Sequence, residues 1–231
     1  MTKVAIIQSN FMPWKGYFDI ISSVDYFVFF DTCQYTRKDW RNRNRIKVLN
    51  GDNWISVPVQ VKNKFSQKIN ETLVSDNNWA QKIWNKIDYN YKKAPFYNYV
   101  KESLYENVIK KIDSPFLSVI NQTLIEIISK EFLLINTEFR KAEEFNILED
   151  KNMRLINIVK ELNGTEYISG KAAKLYIQND LFDLNDIKLT YMEYDGYEEY
   201  EQLNGEFDHF VSIIDLLMMK GPDAKNYLLN K

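Results

Sequence analysis

Val4-Ala5-Ile6-Ile7-Gln8-Ser9-Asn10 near the start of the chain, and Tyr26-Phe27-Val28-Phe29-Phe30-Asp31 soon after it, are two short apolar runs that each end in polar residues. Continuous β-branched or aromatic runs of this length suit strands buried on both faces, as in a parallel sheet. Between them Pro13 and Gly16 punctuate a loop, and Gly16 to Val24 has the apolar spacing of a helix. Strand, helix, strand over so short a span is a βαβ unit, which implies a right-handed crossover and a parallel sheet. Ligands of such sheets lie beyond the carboxyl ends of the strands, so Gln8 to Tyr17 and Asp31 to Trp40 are expected in one crevice.

Working outward, Ile46 to Val59 reads as two strands around the turn Asn50-Gly51-Asp52-Asn53, an antiparallel hairpin. From about Asn77 to Glu138 the apolar spacing is helical (Trp79-Ile83-Trp84-Ile87, Val100-Leu104-Val108-Ile112, Phe116-Leu117-Ile120-Leu124-Ile127-Ile128). Pro95 and Pro115 separate these helices, and Asp113-Ser114-Pro115 suits a helix start. Alternation then resumes: a helix over Met153 to Leu162, a strand over Thr165 to Ile168, a helix start at Gly170 to Tyr176, a strand over Ile187 to Tyr194, and a helix over Ser212 to Met219. The expected fold is α/β and Rossmann-like, one domain over 1–231, with a hairpin excursion and a helical insertion at about 77–138.

Composition sets limits. With 231 residues and 45% apolar content the chain can bury a sizeable core. A formal net charge of -2 removes the bulk attraction to phosphate backbones that nucleic-acid binders use. No run approaches a membrane span and the first residues lack a signal-peptide pattern, so a cytoplasmic location is expected. One cysteine, Cys33, and one histidine, His209, leave no disulfide and no metal ligand set, and no cofactor is expected.

The segment from Gln34 to Lys47 carries six basic residues among fourteen, interleaved with Tyr35, Trp40, Asn42 and Asn44. Arginine forks bind phosphate in pairs and aromatic faces stack on rings, so Gln34, Tyr35, Arg37, Trp40, Arg41, Asn42 and Arg43 suit a phosphorylated metabolite or nucleotide sugar; otherwise they form a solvated basic loop. Gln8, Asn10, Trp14, Lys15 and Tyr17 stand where a strand gives way to a helix start, a place for an anion or a plain connection packed by Gly16. Asp31 and Asp39 either take a proton from an amine or hold the arginines, and His209 is a general base or a surface residue. Cys33 is a nucleophile activated by nearby cations or a small apolar side chain. Tyr191, Tyr194, Tyr197 and Tyr200 form a patch for stacking or for packing.

Val4 to Asn10, Pro13-Trp14-Lys15-Gly16-Tyr17-Phe18-Asp19, Phe30-Asp31 with Gln34-Tyr35-Thr36-Arg37, and Asp39-Trp40-Arg41-Asn42-Arg43-Asn44 together resemble the signature of the WbqC-like family. Tyr167 to Tyr176 and Ser212 to Leu217 resemble its later motifs. A more distant likeness to nucleotidylyltransferase-like α/β proteins sets Trp14-Lys15-Gly16-Tyr17 where those carry His-x-Gly-His, and sets Ser169 and Gly170 in a late site element. Loss of both histidines puts ordinary adenylyl transfer in doubt. The resemblance implies surface-polysaccharide synthesis, with N-acyl or aminoacyl transfer to a nucleotide-linked amino sugar from an unspecified donor. A non-catalytic nucleotide-sugar-binding protein and a divergent nucleotidyl transferase are the rival expectations.

Overall fold

The structure is a computed structural model and describes residues 1–146 and 150–230. Its elements in chain order are β1 (Lys3–Ile7), α1 (Lys15–Ser22), β2 (Tyr26–Phe29), β3 (Arg43–Val48), β4 (Gly51–Ser56), α2 (Trp79–Tyr91), α3 (Tyr97–Val100) and α4 (Leu117–Ile127). They continue with β5 (Glu138–Lys141), α5 (Lys151–Glu161), β6 (Glu166–Ser169), α6 (Asn179–Asp183), β7 (Lys188–Tyr191) and α7 (Ile213–Lys220).

Five strands form a sheet in the order β5-β2-β1-β6-β7, and each pairing is parallel. With the hairpin of β3 and β4 set aside as its own antiparallel pair, the sheet strands run third, second, first, fourth, fifth, a Rossmann-like order. The period of two seen in β1 and β2 sorts their side chains onto opposite faces. Ala5, Phe27 and Phe29 join a core with α1, α2, α3, α4 and α7, whereas Val4, Ile6, Val28 and Phe30 pack on α5 and α6. Both faces are covered, which is why these strands read as unbroken apolar runs.

Three expectations need correction. The hairpin starts at Arg43 rather than Ile46: Arg43-Asn44-Arg45-Ile46 alternates, with Asn44 and Ile46 buried while Arg43 and Arg45 face outward. Charge at every second position hid the strand. The edge strand β5 had no sequence signal, because it has one apolar side chain, Phe139, stacked on Phe29 at 5.5 Å. Asp113-Ser114-Pro115 does not cap a helix. Pro115 O accepts from Val74 N (2.8 Å) and Leu117 N donates to Thr72 O (2.9 Å), so Phe116 stays extended opposite Leu73 and α4 begins at Leu117. Among the described residues no helix is long and apolar enough to cross a membrane.

Candidate functional site

After β1 the chain crosses to β2 on one side, and after β6 it crosses to β7 on the other, so the two central strands end beside each other at a topological switch point. Above their carboxyl ends lies a cavity of about 670 Å³. Its base is Gln8, Ser169 and Gly170; α1 contributes Tyr17 and the residue just before the helix, Trp14, the loop after β2 contributes Thr32, Cys33 and Gln34, and α5 contributes Lys151 and Arg154. Tyr176 and Tyr194 close the rim. A larger groove of about 920 Å³ opens beside Thr2, Asp25, Tyr26 and Glu138, at the amino ends of β2 and β5. Open parallel sheets bind at the other end, which makes the switch-point cavity the candidate.

A buried polar frame holds the cavity base. Asp31, without solvent exposure, accepts from Ser9 N at Oδ1 (2.8 Å) and from Gln122 Nε2 at Oδ2 (2.8 Å). Asn121 donates to Ser9 Oγ (3.3 Å) and to Arg41 O (2.8 Å). The Arg41 guanidinium in turn donates to Gln8 Oε1 and Asn10 Oδ1, and Tyr17 Oη donates to Gln8 O (3.0 Å). Desolvation raises the pKa of Asp31, and it raises that of Tyr17 far more, so the phenol stays a proton donor. Gly16 is required here for space: a Cβ would fall 2.2 Å from the Trp14 indole that folds over it.

The expected single basic hollow, with Lys15 beside the arginine turn, is not what the structure contains. Lys15 is sealed in, its ammonium 4.3 Å from the Tyr197 ring centre and near those of Tyr200 and Phe207. Arg37 donates to Val61 O and lies over Phe65, while Arg43 donates to Lys38 O and lies over Trp54 at 4.0 Å. Asn42 donates to Val57 O (2.8 Å) and Tyr35 is buried in the core. Asp39 accepts from Thr36 Oγ1 and Trp40 N. Of the arginine turn, only Arg41 reaches the end of β1. His209 packs on Phe207 and Tyr197, away from the switch-point cavity, and desolvation together with Lys15 lowers its pKa.

Burial holds the Lys15 amine at about 8 against its ordinary 10.5, with Asp19 and Asp215 acting the other way. Below that folded value the buried charge destabilises the native state, and the cost fades as pH rises from about 8 toward 10.5. A shift of that size corresponds to about 3 kcal/mol, against about 1–2 for the aromatic contacts. Lys15→Met is therefore expected to unfold about 1–2 kcal/mol later than the parent near neutral pH. The variant should also lose the parent's rise in stability above about pH 8, and denaturant titrations at several pH values check both.

A model of the WbqC-like protein family matches residues 8–227, which includes the cavity base, the arginine turn and the helices over both faces of the sheet. The chain belongs to the WbqC-like protein family. It is also 42% identical over 228 residues to a protein of Mycobacterium tuberculosis (strain ATCC 25618 / H37Rv) described as "Uncharacterized protein Rv1507c", covering 99% of this chain and 98% of that one. No solved structure matches.

In this WbqC-like protein, sequence reasoning placed Gln8, Trp14, Tyr17, Gln34, Ser169 and Gly170 at a ligand, and all six line the cavity. It missed Thr32, Lys151, Arg154 and Tyr176, while Tyr194, read as part of a patch for stacking or for packing, lines the cavity as well. Lys151 and Arg154, a helical turn apart at the start of α5, were the detectable signal: two cations just beyond the Asp150 cap, where a crossover helix meets the carboxyl end of the sheet. Burial raises the Cys33 thiol pKa, the opposite of the activation considered from sequence, because desolvation outweighs Arg154 and Arg41. Among the described residues no group of three or more His, Cys, Asp or Glu side chains comes together to hold a metal ion.

Proposed function

We propose that this WbqC-like protein binds a nucleotide-activated amino sugar in the switch-point cavity and serves N-acyl or aminoacyl transfer to its amine in surface-glycan precursor synthesis. The observation that carries the reading is the make-up of that cavity. Two cationic side chains, Lys151 and Arg154, share it with the amides of Gln8 and Gln34, the Ser169 hydroxyl and the rings of Trp14, Tyr176 and Tyr194. Guanidinium and ammonium groups suit a diphosphate, amides and hydroxyls suit sugar hydroxyls, and aromatic faces suit a ring. Its volume of about 670 Å³ falls within the range of sites for ligands of this size.

Transfer to an amine requires the neutral amine. Asp31, Asp39 and His209 were the candidates to take its proton, yet none lines the cavity, and Asp31 already accepts two hydrogen bonds. That placement favours a second reading, a non-catalytic protein that presents the nucleotide sugar to a partner enzyme. Divergent nucleotidyl transfer, with Lys15 and Arg37 standing in for the two absent histidines, gains no support, since one is sealed under aromatic rings and the other faces Val61 and Phe65.

Melting the protein with thymidine-diphosphate amino sugars tests the shared premise. A ligand at a hundred times its Kd should stabilise the native state by about 2.7 kcal/mol. Arg154→Ala is expected to weaken that binding by about tenfold or more while the fold is retained. Absence of stabilisation by any nucleotide sugar would remove the reading. Acyl transfer assayed with thioester and aminoacyl donors then separates an enzyme, which turns over alone, from a presenting protein, which binds but forms no product.

A further inference from the structure

We infer that a second, smaller cavity beside the switch point is a stacking slot for the nucleobase of the same ligand, an assignment that rests on the nucleotide-sugar reading above. This cavity, about 420 Å³, is walled by the rings of Trp14, Trp40 and Phe210 with Pro13 and Asn10. The three rings come from separate segments. Trp14 and Phe210 have centroids 5.1 Å apart, and Trp40 is backed by Trp54 at 5.4 Å. Trp40 remains 41% exposed and Phe210 57% exposed, so aromatic surface is left without a protein partner.

Charge decides what fits. Arg45 also lines the slot, but its guanidinium is met by Asp52 at 2.5 Å and Asp208 at 3.3 Å, so it offers little to a phosphate. Asn44 Nδ2 already donates to the carbonyls of Phe11 (3.2 Å) and Met12 (2.8 Å). A neutral planar ring with a polar edge suits such walls better than an anion does, and stacking on aromatic faces tolerates any base.

The slot is joined to the larger cavity in two ways. Trp14 lines both. Arg41 donates to Gln8 in one and to Asn10 in the other, which places its guanidinium at the junction where the phosphates linking a base to a sugar would cross.

Thymidine-diphosphate glucose, thymidine and glucose 1-phosphate, titrated by calorimetry against the parent, Trp40→Ala, Trp40→Phe and Phe210→Ala, test the assignment. Both alanine variants replace half-exposed rings, and unchanged melting temperatures verify their fold. The expected result is about a tenfold loss of affinity for thymidine-diphosphate glucose and for thymidine in each alanine variant. Affinity for glucose 1-phosphate should be unchanged, and Trp40→Phe should recover most of the loss. Equal affinity for the nucleotide ligands in parent and alanine variants overturns the slot, as does an equal loss for glucose 1-phosphate. If glucose 1-phosphate binds the parent and thymidine-diphosphate glucose binds no better, the slot is rejected while a sugar-phosphate site survives. If no probe binds, the nucleotide-sugar reading falls and takes the slot with it.

Discussion

Asp31→Ala is expected to lower the free energy of unfolding by about 2–5 kcal/mol, the cost of leaving two buried donors without acceptors at about 1–3 kcal/mol each. The alanine would leave Ser9 N and Gln122 Nε2 as buried donors without acceptors, each now held at 2.8 Å. Asp31→Asn is expected to cost about 2–3 kcal/mol, because one of those donors would then face an amide N–H group. Desolvation raises the Asp31 pKa above its ordinary 3.8, so this group does not drive acid unfolding. Its own contribution becomes more favourable as pH falls from the folded value toward 3.8. Urea titration followed by circular dichroism measures both variants. A loss below about 1 kcal/mol would mean that the polar frame is not what holds β1, β2 and α4 in register at the cavity.

The second large effect concerns binding. Gly170 directly follows β6 in an extended conformation, φ -75 and ψ 153, that any residue adopts, and a Cβ there meets only Tyr194 Oη at 3.9 Å. Gly170→Leu should therefore project its side chain into the cavity without straining the backbone. Stability is expected to change by no more than about 0.5 kcal/mol, as at a site away from tight packing. Affinity for a nucleotide sugar is expected to fall by about two orders of magnitude, because the leucine occupies space the ligand needs. Calorimetry on the folded variant reads the difference. Parental affinity in Gly170→Leu would exclude the cavity as the binding site.

The fold was legible where burial on both faces left an unmistakable apolar run, as in Val4 to Ile7 and Tyr26 to Phe30. It was hidden where strands carry charge toward solvent. Glu138-Phe139-Arg140-Lys141 sits at the sheet edge and needs only Phe139 against the core, and Arg43-Asn44-Arg45 alternates polar residues of opposite fates. The site was half legible for a different reason. Residues at the end of β1 could be placed by the general behaviour of parallel sheets, but the neighbour of β1 could not, since nothing local says that β6 rather than a nearer strand lies beside it. Lys151, Arg154 and Tyr176 thus stayed outside the reading. Basic composition also hid a local role: Arg37 and Arg43 each donate to a backbone carbonyl and lie over an aromatic ring, contacts that spacing does not reveal.

The pairing of β1 with β6, Lys3 opposite Glu166 and Val4 opposite Tyr167, bears on how the protein emerges from the ribosome. The central strand is made first and finds one neighbour almost at once in β2, yet its other edge waits for a segment synthesised far later. Until then a nascent chain presents an open, apolar ladder of the kind that invites wrong partners. Premature termination before residue 166 should consequently yield an aggregation-prone fragment and not a smaller folded unit.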